Sequence, residues 1–134
     1  MAFTGPVEDR LKIRERLDAY SDAVTRRDVE AYLSCWTEDG QRLGSGGECR
    51  GKPALRAHWD GIWQALDRMA FLTQVAAIEV DGDRATARSY CLEILHPRGG
   101  DVRRLVGSYE DELVRDGADW VFASRRYQVL MGPG

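Results

Sequence analysis

The second half of the chain constrains the fold most strongly, because it contains four long segments in which apolar and polar residues alternate. The first two segments flank an Asp-Gly-Asp turn at residues 81–83, and the second two flank an Asp-Gly-Ala turn at residues 116–118. A glycine-containing turn between alternating segments is a strong hairpin signal. A His-Pro-Arg-Gly-Gly stretch at residues 96–100 links the two hairpins. The pattern therefore predicts four long antiparallel strands.

Apolar residues in the first half recur with the period of a helix. Over residues 7–25, one helical face carries residues spaced by four, three and four positions: Ile13, Leu17, Tyr20 and Val24. Asp28 is a good N-cap for a short second helix, and Pro53 marks the first turn of a third helix that ends near Leu66. Helices grouped on one side of an antiparallel sheet make an α+β domain, and we expect one such domain over residues 1–134.

Composition argues against several classes of function. The net charge of the 134-residue chain is −3, and its Lys and Arg residues form only short pairs, so we expect no nucleic-acid partner. No apolar run approaches ~20 residues, which argues against a membrane span. The first ten residues lack a basic segment followed by an apolar stretch, and the three cysteines are scattered and odd in number. We therefore expect a cytoplasmic protein with free thiols.

Motifs for metals and common cofactors do not occur in the sequence. The two histidines, His58 and His96, lie far apart, and there is no CxxC, HxH or HExxH spacing. The glycine-rich stretch at residues 44–51 lacks the Lys-Ser/Thr ending of a phosphate-binding loop, so we interpret it as a loop or hairpin. His58 lies off the apolar stripe of its helix, and we expect it on the surface. The chemistry is thus expected to need no metal and no other cofactor.

One acidic residue is out of place in the third of the four long strands. Tyr109, Asp111 and Leu113 alternate on one face, so an inward-facing Tyr and Leu would carry Asp111 into the core. A buried carboxyl group is costly unless it is paired, hydrogen-bonded or neutral. Asp111 therefore either holds the sheet together through hydrogen bonds, or forms a catalytic donor pair with Tyr20 that faces a ligand oxygen.

Further residues are candidates for the wall of an apolar pocket. Three tryptophans on or near the helices are either core or pocket wall, and one face of the second long strand carries small residues that would leave room for a ligand. If that face lines a pocket, Glu93 is a second acid near its open end; the alternative is a solvated strand end. The substrate-binding candidates are Trp36, Trp59, Trp63, Ser89, Cys91 and Tyr109.

Several stretches together resemble the SnoaL-like group of the nuclear transport factor 2-like superfamily: "AYSDAVTRRDVEAYLSCWTEDG", "CRGKPALRAHW", "IEVDGDRATARSY" and "GSYEDELVRDGADWVFASRR". The resemblance extends from about Asp9 to Val129. It implies a cystatin-like cone, in which three N-terminal helices pack on a curved antiparallel sheet around an interior pocket. Ketosteroid isomerases, scytalone dehydratases, polyketide cyclases and non-catalytic binding proteins share this fold, so the fold alone does not give the function.

The resemblance assigns roles to only part of the family's catalytic sets. Tyr20 is similar in position to a pocket tyrosine on the first helix, and Asp111 matches the strand aspartate that donates to an oxyanion in the isomerases. The position of the isomerase base falls near Leu43, where there is no carboxylate. The dehydratase aspartate falls near Thr25, and the dehydratase histidine falls within residues 70–73, where no histidine occurs.

These observations lead to competing hypotheses of function. The first is a small-molecule enzyme of isomerase, dehydratase or cyclase type that uses cofactor-free acid–base chemistry on an apolar substrate. The alternative is a non-catalytic ligand-binding or accessory protein of the same fold. A third hypothesis, a purely structural dimerisation module, leaves the pocket-facing polar groups without a role. We expect a homodimer through the outer face of the sheet, from the habit of the family and from the outward positions of Tyr90, Leu92 and Ile94.

Overall fold

The computed structural model describes residues 2–132 and shows helices packed on one curved sheet. The helices are α1 (Val7–Arg26), α2 (Val29–Ser34) and α3 (Lys52–Ala65). The strands are β1 (Phe3–Thr4), β2 (Trp36–Gly44), β3 (Cys49–Arg50), β4 (Leu66–Asp81), β5 (Arg84–Pro97), β6 (Arg103–Asp116) and β7 (Asp119–Met131). The predicted α+β class and the order of the helices and long strands are confirmed.

The sheet is mixed, although a wholly antiparallel sheet was expected. Its strand order is β1-β4-β5-β6-β7-β2-β3, and β4 to β7 form the predicted antiparallel meander. At the two edges of the sheet the pairing is parallel instead, between β1 and β4 and between β2 and β7. The glycine-rich stretch forms a hairpin in which β3 pairs with β2. These edge strands extend the sheet around the helices.

The helices begin where their sequences predict, and α1 and α3 end within one residue of the prediction, whereas α2, predicted over residues 29–36, ends at Ser34 because Trp36 begins β2. Asp28 caps α2, since its Oδ1 accepts a hydrogen bond of 3.1 Å from the Ala31 backbone N–H. Pro53 lies in the first turn of α3. The apolar stripe of α1 is buried against the sheet, with Ile13 and Leu17 almost fully covered. None of the helices in residues 2–132 is long and apolar enough to cross a membrane.

A bulge in β7 decides which of its side chains point into the cone. Leu113 pairs with Phe122 and Glu112 pairs with Ser124, so Ala123 is an extra residue on β7. An extra residue reverses the alternation of all later side chains. Arg125 and Tyr127 therefore face inward and are buried.

Candidate functional site

A cavity lies between the three helices and the concave face of the sheet. Its side chains leave about 50 Å3 open to a guest, within a total empty volume, including the opening, of about 420 Å3. The lining is mostly aromatic and aliphatic: Tyr20, Val24, Tyr32, Arg42, His58, Trp59, Ile62, Trp63, Met69, Phe71, Glu93 and Tyr109. A larger depression of about 870 Å3 lies elsewhere on the sheet, but it is open and bordered by charged side chains. Binding sites for small molecules are enclosed and largely apolar, so we place the candidate site in the cone.

Three tyrosines form the aromatic floor of this cavity. The ring of Tyr20 lies 5.3 Å from that of Tyr32 and 6.3 Å from that of Tyr109, measured between centroids. The ring of Tyr32 also stacks at 4.6 Å on that of Trp59. Burial raises the pKa of all three phenols. Their hydroxyl groups are therefore neutral at physiological pH and can donate hydrogen bonds to a guest.

Glu93 brings a carboxyl group into this aromatic surrounding. The hydroxyl of Tyr127 donates a hydrogen bond to Glu93 Oε2, and Cys91 Sγ lies 3.8 Å from the same oxygen. Burial raises the pKa of Glu93, while the Tyr127 hydrogen bond and the charge of Arg42 partly oppose that rise. Burial and the neighbouring Glu93 raise the pKa of the Cys91 thiol to about 12. Glu93 is therefore the group in the cavity best suited to exchange a proton.

The position of Tyr127 depends on a glycine on the neighbouring strand. A Cβ atom at Gly107 would lie 2.4 Å from Tyr127 Cε1 and 2.8 Å from the Tyr127 hydroxyl oxygen. Any other residue at this position would collide with the ring. Gly107 therefore lets the ring lie flat against β6, which directs its hydroxyl to Glu93.

Arg42 enters the cavity from β2 and also holds the glycine-rich loop. Its Nη1 donates to the carbonyl oxygens of Ser45, at 2.8 Å, and Gly47, at 2.7 Å. His58 binds the same loop, with Nε2 3.0 Å from the Gly46 carbonyl oxygen. Burial lowers the pKa of His58, so its ring is neutral near pH 7. His58 was expected on the surface, but it is half-buried in the cavity wall because the loop folds against it.

Asp111 is buried, and its partner is Arg125 on β7. Arg125 Nε and Nη2 donate to the two carboxylate oxygens at 2.7 and 3.1 Å. The guanidinium carbon lies 4.3 Å from the ring centre of Tyr20 and 3.8 Å from that of Tyr109. Burial raises the pKa of Asp111, and the charge of Arg125 opposes that rise. This bidentate geometry is that of an ion pair, which is the first of the two interpretations of Asp111.

The structure brings only some of the predicted site residues together. Tyr20, Trp59, Trp63 and Tyr109 line the cavity as expected. The remaining candidates lie in the packed interior outside its lining: Trp36, Ser89, Cys91 and Asp111. The ion pair with Arg125 separates Asp111 from the cavity, because the guanidinium group stacks beneath the tyrosine rings. The predicted donor pair of Tyr20 and Asp111 therefore does not face one shared space.

The positions expected for a dehydratase dyad are used to join α1 to β4. Thr25 Oγ1 accepts a hydrogen bond from the Phe71 backbone N–H at 3.0 Å and donates to the Phe71 carbonyl oxygen at 3.2 Å. Nearby, the hydroxyl oxygens of Ser21 and Thr73 lie 2.6 Å apart. These contacts hold the helix on the sheet and supply no base.

Sequence reasoning missed Arg42, Tyr127 and Arg125, and left the role of Glu93 open. Strict alternation along β7 would have pointed both Tyr127 and Arg125 outward, and the bulge at Ala123 reverses them. Glu93 had a usable signal, because it follows Ser89 and Cys91 on one strand face. Within residues 2–132, no group of three His, Cys, Asp or Glu side chains is placed to hold a metal ion.

Comparison with known proteins gives one family. A family model described as the SnoaL-like domain matches residues 6–126. A solved protein of unknown function from Mycobacterium tuberculosis is 33% identical over 94% of this chain and 76% of its own, with a TM-score of 0.82. No curated protein sequence matches the chain significantly.

Two further structures show how widely this fold is used. A proposed aromatic ring hydroxylase from Novosphingobium aromaticivorans is 26% identical over 96% of this chain and 94% of its own, with a TM-score of 0.88. A hexachlorocyclohexane dehydrochlorinase from Novosphingobium barchaimii is 17% identical over 91% of this chain and 86% of its own, with a TM-score of 0.82. The second likeness shows the fold alone.

Proposed function

The chain belongs to the SnoaL-like domain family, and we propose that it is a small-molecule enzyme of isomerase, dehydratase or cyclase type. It would act on an apolar substrate in the cone cavity and move a proton with its own side chains. The observation that carries this proposal is Glu93, a carboxyl group with a raised pKa in the wall of an aromatic cavity. Acid–base catalysts commonly have a pKa moved toward the working pH in this way.

The geometry supports a reaction that begins with proton abstraction. The Glu93 carboxylate would take a proton from a substrate carbon next to a carbonyl group. The C–H electron pair would form a carbon–carbon double bond, and the π pair of the carbonyl group would move to its oxygen. A neutral hydroxyl of Tyr20 or Tyr109 would donate a hydrogen bond to that oxygen. The carboxyl group would then return its proton to another substrate atom. Delivery to carbon gives isomerisation, and delivery to a departing hydroxyl group gives dehydration.

Tyr127 would set the proton affinity of Glu93 in this scheme. Its hydroxyl donates to Glu93 Oε2, which stabilises the carboxylate and keeps one oxygen in place. The second oxygen is then free for the substrate. Asp111 would act indirectly in this scheme, by holding Arg125 beneath the aromatic floor.

A non-catalytic binding protein is the second candidate, and one observation favours it. The side chains at the family's dehydratase positions are hydroxyls tied to the framework, as Thr25 is to the Phe71 backbone. If the cavity only binds, a ligand will be retained or taken up without proton exchange.

Hydrogen–deuterium exchange separates the two candidates without knowledge of the natural substrate. Purified protein would be incubated in D2O with a panel of one- and two-ring cyclic ketones that includes 1-tetralone, and deuterium uptake next to the carbonyl would be followed by NMR. We expect catalysed uptake by the wild type, and a loss of about 100-fold or more in Glu93→Gln. Glu110→Gln, on the outer side of β6, is the matched control and should exchange normally. No catalysed uptake for any ketone would favour the binding protein.

A further inference from the structure

Arg42 is the part of the cavity that the proposed proton transfer leaves without a role. Its side chain is buried, since the residue is only 7% exposed. One nitrogen, Nη1, makes both of its hydrogen bonds to the glycine-rich loop. Within residues 2–132, Nε and Nη2 have no hydrogen-bond partner, and no carboxylate lies within salt-bridge distance of the group. Neither nitrogen is among the fully buried unpaired atoms, so this edge is open to solvent and an anion or another acceptor can reach it.

The charge of Arg42 acts throughout the cavity. This charge lowers the pKa of Glu93 and of the phenols of Tyr20 and Tyr109, and so partly offsets the rise that burial causes in each. The other titratable groups of the wall carry no lasting charge, because His58 and the tyrosines are neutral near pH 7. When Glu93 holds its proton, the cavity therefore has one net positive charge.

A second unused donor lies in the same wall. The indole N–H of Trp63 is buried and has no hydrogen-bond partner among the described residues, although Trp63 itself lines the cavity. Buried N–H groups are almost always paired in folded proteins, so an unpaired one in a cavity wall indicates an absent acceptor. The wall thus combines aromatic rings for a flat apolar body with a cation, Arg42, for an acidic oxygen, and the unpaired N–H group of Trp63 lies at its border.

We propose that the cavity recognises aromatic or other flat cyclic molecules that carry an anionic oxygen, with Arg42 as the residue that binds the carboxylate. This inference rests on the proposed function for the identity of the site, and it adds the class of substrate. Arg42 would present its Nε–Nη2 edge to the two oxygens in the bidentate manner that guanidinium groups use for carboxylates. The loop carbonyls on Nη1 would fix the orientation of that edge.

The test compares ligands of the same shape in which a charged carboxylate is replaced by a neutral amide. Binding of benzoate against benzamide, and of 2-naphthoate against 2-naphthamide, would be measured by quenching of the tryptophan fluorescence, because Trp59 and Trp63 line the cavity. We expect the carboxylate of each pair to bind about 10-fold or more tightly than its amide, the size of a charge-assisted hydrogen bond. Equal affinity for both members of each pair, or no binding of either carboxylate up to solubility, would overturn the proposal.

Variants assign the preference to Arg42. Arg42→Gln keeps a donor for the loop carbonyls and removes the charge, so it should bind carboxylate and amide alike. Arg126→Gln, an exposed arginine on β7, is the control and should keep the wild-type preference. Arg42→Lys should recover part of the preference, since it restores the charge without the planar fork. Thermal unfolding would be measured in parallel, and a Gln variant that is folded yet retains the preference would refute the role of Arg42.

Glu93→Gln distinguishes failure of this inference from failure of the proposed function. The variant should lose proton exchange on ketones but bind the carboxylates at least as tightly as the wild type, because it removes the competing negative charge. Unchanged exchange in Glu93→Gln would refute the catalytic role while leaving carboxylate recognition intact. Loss of the carboxylate preference in Glu93→Gln, with Arg42 present, would refute recognition by Arg42.

Discussion

The replacement of Asp111 by asparagine should cost far more stability than a polar substitution usually does. The Asp111 and Arg125 side chains are 0% and 1% exposed, and their charged groups meet through two hydrogen bonds. Asparagine has nearly the same shape, but it turns one acceptor into a donor and leaves the guanidinium charge unpaired. Breaking one partner of a buried ion pair costs about 3–5 kcal/mol, and we expect a loss of that size in the free energy of unfolding.

Denaturation by urea at pH 7 measures this loss. The control is Asp39→Asn, which breaks the exposed pair with Arg50 and should cost less than about 1 kcal/mol. A double variant, Asp111→Leu with Arg125→Met, should be more stable than Asp111→Asn alone, because it removes both charges and keeps apolar volume beneath the tyrosine rings. If Asp111→Asn loses less than about 1 kcal/mol, Arg125 has another acceptor and the pair is not what holds these strands together.

Further predictions concern the cavity and the outer face. Because burial raises the pKa of Glu93, the protonated side chain contributes its full stability below the ordinary pKa of 4.5, and this contribution is lost as pH rises through the folded-state pKa. Glu93→Gln should therefore gain stability relative to the wild type as pH rises in urea titrations. Plots of stability against pH that run parallel for the two proteins would contradict this. Gly107→Ala should slow proton exchange on ketones by displacing the Tyr127 ring from Glu93, and unchanged exchange would show that the ring tolerates the shift. A thiol reagent at pH 8 should modify Cys49 well before Cys91, which is buried and has a pKa of about 12; equal rates would show that the interior around Cys91 opens freely. We also propose a homodimer through the outer face of the sheet, so light scattering should give twice the monomer mass for the wild type and the monomer mass for Leu92→Glu.

The elements of the fold were predictable where their signals are local. The stripe of α1 has the helical period, and the turns after Asp81 and Asp116 mark the hairpins. The edge strands had no comparable signal, because β1 and β3 are two residues long. The parallel pairing of β2 with β7 joins segments about 80 residues apart in sequence, and no local pattern records such a contact.

The site was harder to predict than the fold for a specific physical reason. An arginine is usually a surface residue, so Arg42 and Arg125 gave no sign of burial. The inward direction of Arg125 follows from one extra residue at Ala123, which strict alternation does not anticipate. Asp111 was recognised as buried from its neighbours, but its partner could not be named without the register of β6 and β7.

The central claim is that the cavity contains a carboxyl group, Glu93, whose apolar surroundings prepare it to exchange a proton. Carbon-13 NMR titration of the glutamate side-chain carboxyl carbons, with Glu93→Gln to assign the resonance, measures that property without any substrate. We predict that Glu93 titrates above the ordinary value of 4.5, and that Tyr127→Phe raises its pKa further because the carboxylate loses a hydrogen bond. A Glu93 pKa at or below 4.5 would show a solvated or ion-paired carboxylate and would contradict the proposed acid–base role.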